Sequence, residues 1–123
     1  MLTAGMLLQS CSVAIPMFKT DDNKQQLSVP LTEFTDNKTM LVVRTQHLEN
    51  DILLLKQNND YVAVYLQCTH EGVGLTPTSK KIVCTAHGST FDFSGNVLKE
   101  PALKPLLKFR TEIKNDSIII HLV

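Results

Sequence analysis

Two stretches of this sequence supply candidate metal ligands around which the chain can fold, Cys68-Thr69-His70 and Cys84-Thr85-Ala86-His87. Each places a sulfur ligand before a nitrogen ligand, and thirteen residues separate the two stretches. Each also follows an apolar run, which predicts that a strand ends near the cysteine and that a loop carries the histidine. Two thiolates and two neutral imidazoles suit either zinc or a mixed-ligand iron–sulfur centre. Zinc sites usually pair the cysteines with each other and keep the histidines together, whereas here each half offers one sulfur and one nitrogen.

The segments around these stretches have the pattern of short strands. They are rich in β-branched or alternating apolar residues, polar turns separate them, and none shows a sustained helical period. The predicted strands are Thr39–Thr45, Ile52–Lys56, Tyr61–Leu66, Lys81–Val83, Phe91–Phe93, Val97–Leu98, Leu107–Ile113 and Ser117–Leu122. The stretch Glu71–Lys80 is predicted to be irregular. This pattern predicts an all-β fold, an antiparallel β sandwich or small barrel, with the two ligand loops as a subdomain.

Composition limits the kinds of partner. With 123 residues the chain has the size of one domain, placed at 27–123, and its 43% hydrophobic residues suffice for a core. Twelve basic residues balance twelve acidic ones, and no basic stripe is visible, so we expect no nucleic-acid partner. Three cysteines cannot close a disulfide framework.

Residues 1–26 are predicted to be an apolar N-terminal segment followed by a polar linker. Within them Leu8-Gln9-Ser10-Cys11 resembles a bacterial lipoprotein cleavage site, in which the cysteine is lipidated and becomes the first mature residue. A basic leader and an apolar core of the usual length are missing. An upstream start codon would supply the leader. The alternative is an ordinary apolar start with an unpaired cysteine. The lipidated form predicts a periplasm-facing protein of the bacterial cell envelope, and the alternative predicts a soluble cytoplasmic one.

The two ligand stretches and their flanks resemble the Rieske [2Fe–2S] family. Cys68-Thr69-His70-Glu71-Gly72-Val73-Gly74-Leu75 is similar to its first cluster loop, and His87-Gly88-Ser89-Thr90-Phe91-Asp92 to its second. Gly95 and Pro101–Leu106 resemble its turn and its proline-bearing third loop. The likeness covers 27–122. It implies a Rieske-type β fold and a [2Fe–2S] cluster with Cys68 and Cys84 on one iron and His70 and His87 on the other.

The resemblance also implies roles for residues around the cluster. The loop glycines would let amide groups approach the sulfurs, a serine would donate a hydrogen bond to a cluster sulfur, and two apolar residues would exclude water. These residues are Gly72, Gly74, Gly88, Ser89, Leu75 and Pro101. Ordinary turn glycines, and core packing for Leu75, are the alternatives.

Several positions depart from the family's cytochrome bc branch. That branch has a further cysteine in each loop, joined as a disulfide, where this chain has Val73 and Ala86. Phe91 stands where the branch has a tyrosine that donates a hydrogen bond to the cluster. Glu71, beside His70, adds a negative charge. Losing a donor and adding a negative charge both lower the reduction potential, so we expect a value between those of quinol-oxidising Rieske proteins and oxygenase ferredoxins.

The chain is therefore expected to transfer electrons as a small carrier or subunit, without a substrate site of its own. Its partners would be a redox donor and acceptor, with a membrane contact only through lipid on Cys11. The alternatives are a ferredoxin component of an oxygenase system, a structural zinc module with the same four ligands, and a subunit whose cluster only senses redox state.

Overall fold

The computed structural model describes residues 14–123, which form eleven β strands and one 3-10 turn at Leu31–Phe34. The strands are β1 (Met17–Lys19), β2 (Gln26–Pro30), β3 (Met40–Arg44), β4 (Ile52–Gln57), β5 (Asp60–Tyr65), β6 (Thr76–Pro77), β7 (Ile82–Val83), β8 (Thr90–Phe91), β9 (Val97–Lys99), β10 (Lys108–Lys114) and β11 (Ser117–His121). The all-β fold predicted from the sequence pattern is confirmed.

Seven strands form one large sheet in the order β1-β3-β4-β5-β10-β11-β2. The two edge strands, β1 and β2, are consecutive in the chain, and the Thr20 hydroxyl donates to the Ser28 carbonyl 3.3 Å away. The sheet thereby comes close to closing into a barrel. One ladder of this sheet is parallel, because β1 pairs with β3 with Phe18 opposite Val43.

Strand β4 is buried on both faces because a core lies on each side of the sheet. Ile52 and Leu54 belong to the core that the curved sheet encloses. Leu53 and Leu55 point the other way, into a second core, since successive side chains in a strand alternate between faces.

The second core lies between the large sheet and a four-stranded sheet in the order β6-β7-β8-β9. Ile82 of β7 and Phe91 of β8 are both fully buried there. Cys68 and Cys84 belong to this same core. The small sheet and its loops form the predicted cluster-binding subdomain.

All eight predicted strands are present, most with ends shifted by one or two residues, and three further strands were missed. Strand β6 lies within Glu71–Lys80, so the prediction that this whole stretch is irregular is wrong. Strands β1 and β2 were missed because each is short and β2 ends at a proline, which weakens a strand pattern. The domain start predicted at residue 27 falls inside β2, and the pairing of β1 puts ordered structure before it. Cys11 lies outside the described residues.

Candidate metal centre

The first ligand loop begins three residues after β5 and is closed by two backbone hydrogen bonds around Cys68. The Cys68 N–H donates to the Val73 carbonyl at 2.8 Å, and the Cys68 carbonyl accepts from the Gly72 N–H at 2.8 Å. Gly72 has a φ of +74°, a conformation that residues with a Cβ rarely adopt. The turn therefore needs glycine at this position.

The second loop begins directly after β7 and repeats this arrangement around Cys84. The Cys84 N–H donates to the Ser89 carbonyl at 2.8 Å, and the Cys84 carbonyl accepts from the Gly88 N–H at 2.9 Å. Gly88 has a φ of +82°. The same turn thus occurs twice, each time with a cysteine at its start and a glycine four residues later.

These turns bury the sulfurs and expose the imidazoles. Cys68 is 1% exposed, Cys84 is fully buried, and both are free thiols. The rings of His70 and His87 lie at the surface with their centroids 5.1 Å apart and their planes nearly perpendicular, at 86°. The structure thus places the two predicted sulfur ligands in one core and the two predicted histidine ligands in contact with each other. Two free, shielded thiols beside two accessible imidazoles fit a [2Fe–2S] group with two sulfur and two nitrogen ligands.

Ser89 belongs to the second loop and is fully buried. Its Oγ accepts a hydrogen bond from the backbone N–H of Ala102 at 2.9 Å. A hydroxyl has one hydrogen to donate, and this contact leaves that hydrogen available. Donation from Ser89 to a cluster sulfur remains a prediction.

The two residues predicted to exclude water differ in exposure. Leu75 is 8% exposed and packs in the core that contains both cysteines, so shielding and core packing are compatible there. Pro101 is exposed. A shielding role remains a prediction for both.

A third loop, 100–107, is tied to both ligand loops. Its Ala102 N–H binds Ser89, as above, and its Lys104 carbonyl accepts a hydrogen bond from the Thr69 hydroxyl at 2.7 Å. The loop packs against Gly95, which has a φ of +87° and where a Cβ would lie 3.3 Å from that of Leu106. The proline-bearing segment is thus a structural support for both loops.

Sequence reasoning missed the way the first loop rests on the large sheet. The turn between β3 and β4 places Asn50 so close that a Cβ on Gly74 would lie 2.8 Å from the Asn50 Oδ1 atom. Gly74 therefore leaves room for this approach, whereas the sequence suggested an approach to the cluster sulfurs. Nothing in the spacing of Asn50 and Gly74 indicates their contact.

The carboxylate of Asp21 holds that same turn. It accepts hydrogen bonds from the Gln46 N–H at 2.8 Å and the Thr45 hydroxyl at 3.1 Å. The Gln46 hydrogen bond is the main cause that lowers the pKa of the Asp21 carboxyl below its ordinary value of 3.8.

Glu71 contacts the opposite loop. Its Oε1 atom lies 2.9 Å from Nε2 of His87, and both side chains are partly exposed, 54% and 33% respectively. The sequence indicated only that Glu71 is next to His70. A contact between loops separated by more than ten residues has no signature in spacing, so it could not be found that way.

The structure shows the surroundings of the three residues at which the sequence departs from the cytochrome bc branch. Val73 packs against the core that contains the cysteines, Ala86 is exposed, and Phe91 is fully buried. Phe91 thus fills the core of the subdomain at the position where that branch has a tyrosine.

Comparison with known protein families and sequences gives a consistent result. The family model described as "Rieske [2Fe-2S] domain" matches residues 26–110. The cytochrome b6-f complex iron-sulfur subunit of Chlorobaculum thiosulfatiphilum is 28% identical over 109 residues, which cover 86% of this chain and 59% of that protein. The cytochrome b6-f complex iron-sulfur subunit 2 of Nostoc sp. is 33% identical over 63 residues, 50% of this chain and 35% of that protein. The chain thus spans between about a third and three fifths of these relatives.

Solved structures share the fold. The plasma membrane Rieske protein PetC3 of Synechocystis PCC 6803 superposes with a TM-score of 0.61 at 26% identity, covering 76% of this chain and 96% of that one. A complex of reduced oxygenase and oxidized ferredoxin in carbazole 1,9a-dioxygenase gives a TM-score of 0.59 at 21% identity, covering 81% and 95%. This second likeness concerns the fold alone.

Proposed function

The chain belongs to the Rieske [2Fe–2S] domain family, and we propose that it works as an electron carrier or electron-transfer subunit between two redox proteins. The ligands proposed for its cluster are Cys68, His70, Cys84 and His87. The observation that carries this assignment is the repeated turn, which starts at a buried thiol and ends at a glycine, with an exposed imidazole between them. Two such turns present a Cys2His2 set in the order that the family uses.

When bound, the cluster supplies a one-electron redox step. The protein's own residues provide its surroundings. The core around Cys68 and Cys84 keeps water from the sulfurs, and the exposed rings of His70 and His87 place the other edge of the site within reach of a partner. The third loop holds both ligand loops in place through Ala102 and Lys104.

The partners are proposed only as a class. We place substrate chemistry in a redox partner, because the site is a surface edge between two loops. The reduction potential is proposed to lie between those of quinol-oxidising Rieske proteins and oxygenase ferredoxins, since Phe91 replaces a hydrogen-bond donor and Glu71 adds charge beside the histidines. A ferredoxin role in an oxygenase system is the alternative, and titration of the potential with identification of the partner distinguishes the two.

Purified protein tests the cluster assignment directly. We expect iron and acid-labile sulfide in equal amounts, about two of each per chain, and a low-g electron paramagnetic resonance signal on reduction. His87→Ala is expected to abolish the signal. His121→Ala removes a histidine outside the site, on β11, and should retain it. Stoichiometric zinc without iron or sulfide would contradict the assignment and support the zinc module.

Electron flow is the second part of the test. Reduced wild-type protein should pass its electron to a partner recovered by pull-down with the cluster intact. A redox-sensing subunit would be supported by two results together. His87→Ala would bind the partner as well as wild type does, and wild-type protein would pass no electron to that partner.

We also propose a lipid anchor on Cys11, which would place the domain on the outer side of a bacterial cytoplasmic membrane or on the outer membrane. The support is Leu8-Gln9-Ser10-Cys11 alone. In residues 14–123 the structure contains no helix long and apolar enough to cross a membrane. Intact-mass measurement on protein from its native membranes should show diacylglycerol on Cys11, and Cys11→Ser should release the protein into the soluble fraction. Unmodified Cys11 in soluble wild-type protein would favour the cytoplasmic alternative.

A further inference from the structure

The carboxylate of Glu71 joins the two ligand loops through a single contact. Glu71 belongs to the first loop, directly after His70, yet its Oε1 atom lies 2.9 Å from Nε2 of His87 on the second loop. Carboxylate and imidazole atoms at this distance are within hydrogen-bond range. A ligand of one loop is therefore held by a side chain of the other.

The backbone gives this side chain a fixed starting point. Glu71 lies inside the turn that is closed by the Gly72 N–H on the Cys68 carbonyl and by the Cys68 N–H on the Val73 carbonyl, both at 2.8 Å. The positive φ of Gly72, +74°, immediately follows it. A carboxylate carried by so constrained a turn can select one orientation of its partner ring.

For His87 the contact occupies one ring nitrogen and would leave the other for iron. The Nε2 atom faces Glu71, so Nδ1 is the ring nitrogen left to serve as a ligand. Carboxylates that accept the second N–H of a metal-bound histidine set both the tautomer and the orientation of the ring. Glu71 stands in that relation to His87.

The carboxylate contacts one of the two histidines. One ligand atom each from His70, Glu71 and His87 lie within 4.8 Å of one another, yet among residues 14–123 the ion pair formed by this carboxylate is with His87. His70 meets His87 edge to face instead. The first loop thus orients the ligand of the second loop, and its own histidine has no such support in the part of the chain that the structure describes.

This contact is expected to contribute little to the free energy of unfolding. Glu71 is 54% exposed and His87 33% exposed, and exposed ion pairs contribute little to the folding free energy. Its effect is expected on the orientation of His87 and on the charge near the cluster.

We propose that Glu71 is a positioning residue that orients the ring of His87. The proposal rests on the cluster assignment above. It concerns a residue for which the family resemblance implies no role, and it separates the effect of the hydrogen bond from that of the charge.

Glu71→Gln and Glu71→Ala test it in cluster-containing protein. The amide oxygen of glutamine can still accept the His87 N–H, whereas alanine removes both hydrogen bond and charge. We expect two resolved histidine nitrogen couplings by pulsed electron paramagnetic resonance in wild type and in Glu71→Gln. In Glu71→Ala the coupling of one histidine should change and broaden. Both variants should become easier to reduce, with the ratio of reduced to oxidised protein at a fixed ambient potential rising by up to about fivefold.

Glu100→Gln is the matched control. It removes one exposed negative charge from the third loop, and the described residues record no contact of it with either histidine. Its nitrogen couplings should equal those of wild type. Couplings in Glu71→Ala that match wild type, or that glutamine does not restore, would overturn the positioning role. Absence of any low-g signal in wild-type protein would instead refute the cluster assignment, so the two failures are distinguishable.

Discussion

The two ligand loops share one backbone turn but rest on different parts of the molecule. In both, a cysteine N–H donates to the carbonyl five residues on, and a glycine with positive φ follows the cysteine by four residues. The first loop leans on the turn between β3 and β4 through Gly74 and Asn50. The second is held from behind by Ser89 and Ala102. Equal turns set the ligand geometry, and unequal supports allow each loop to influence the site differently.

The supports also differ in chemistry. The first loop brings a carboxylate, Glu71, to the exposed edge of the site. The second brings a hydroxyl, Ser89, to its buried side. Water screens the interactions of an exposed charge, whereas the hydrogen bonds of a buried hydroxyl are not screened. Substitutions in the second loop should therefore have the larger effect on stability.

Ser89→Ala should give the largest effect, because it leaves the buried N–H of Ala102 without its acceptor. Leaving a buried donor unpaired costs about 1–3 kcal/mol, measurable as a lower free energy of unfolding in urea. If the Ser89 hydroxyl donates to the cluster, the reduction potential should also fall. Thr69→Val is the control on the first loop, since Thr69 is exposed and its bond to the Lys104 carbonyl is replaceable by water. A stability loss from Thr69→Val as large as that from Ser89→Ala would contradict the proposed inequality of the supports.

Gly72→Ala and Gly88→Ala test whether the two turns are equivalent. Each should cost about 1–2 kcal/mol, because an L residue is strained at positive φ. The added Cβ itself meets little: at Gly72 the nearest atom is Gln67 Nε2 at 3.9 Å, and at Gly88 no atom lies within 4 Å. Equal losses in urea denaturation would confirm the repeated turn.

Gly74→Ala completes this series on the first loop alone. Its Cβ would lie 2.8 Å from the Asn50 Oδ1 atom, at the end of a side chain that can rotate away. We therefore expect a loss below about 1 kcal/mol. A loss larger than that of Gly72→Ala would show that Asn50 cannot move, and that the support matters more than the turn.

The strands could be predicted, and the four ligands could be proposed, because both depend on local sequence. Cysteine–histidine spacing and apolar runs such as Ile52–Leu55 are visible within a few positions of the sequence. Pairing between distant segments has no such signature. The parallel ladder of β1 with β3, the approach of Asn50 to Gly74 and the contact of Glu71 with His87 each depend on how the chain returns in space.

Of these substitutions, Asp21→Asn should have the smallest effect on stability, and its effect should be confined to the first loop. Because folding lowers the pKa of the Asp21 carboxyl below 3.8 through the Gln46 N–H, the carboxylate stabilises the folded chain above the unfolded-state pKa. That contribution is lost as the pH falls through the lower, folded-state pKa. Asp21→Asn should therefore flatten the fall in the urea midpoint as the pH is lowered from above 3.8 to below it, followed by far-ultraviolet circular dichroism.

The same variant separates the two loops at neutral pH. Asp21 holds the turn that carries Asn50, and Asn50 lies against Gly74 of the first loop. Hydrogen exchange read by mass spectrometry should therefore speed up in a peptide covering 66–75 and stay unchanged in one covering 84–90. Glu112→Gln, which removes a carboxylate on β10 whose pKa is lowered by the His121 hydrogen bond, should leave both peptides as they are. Equal acceleration of both peptides in Asp21→Asn would contradict a support that acts on the first loop alone.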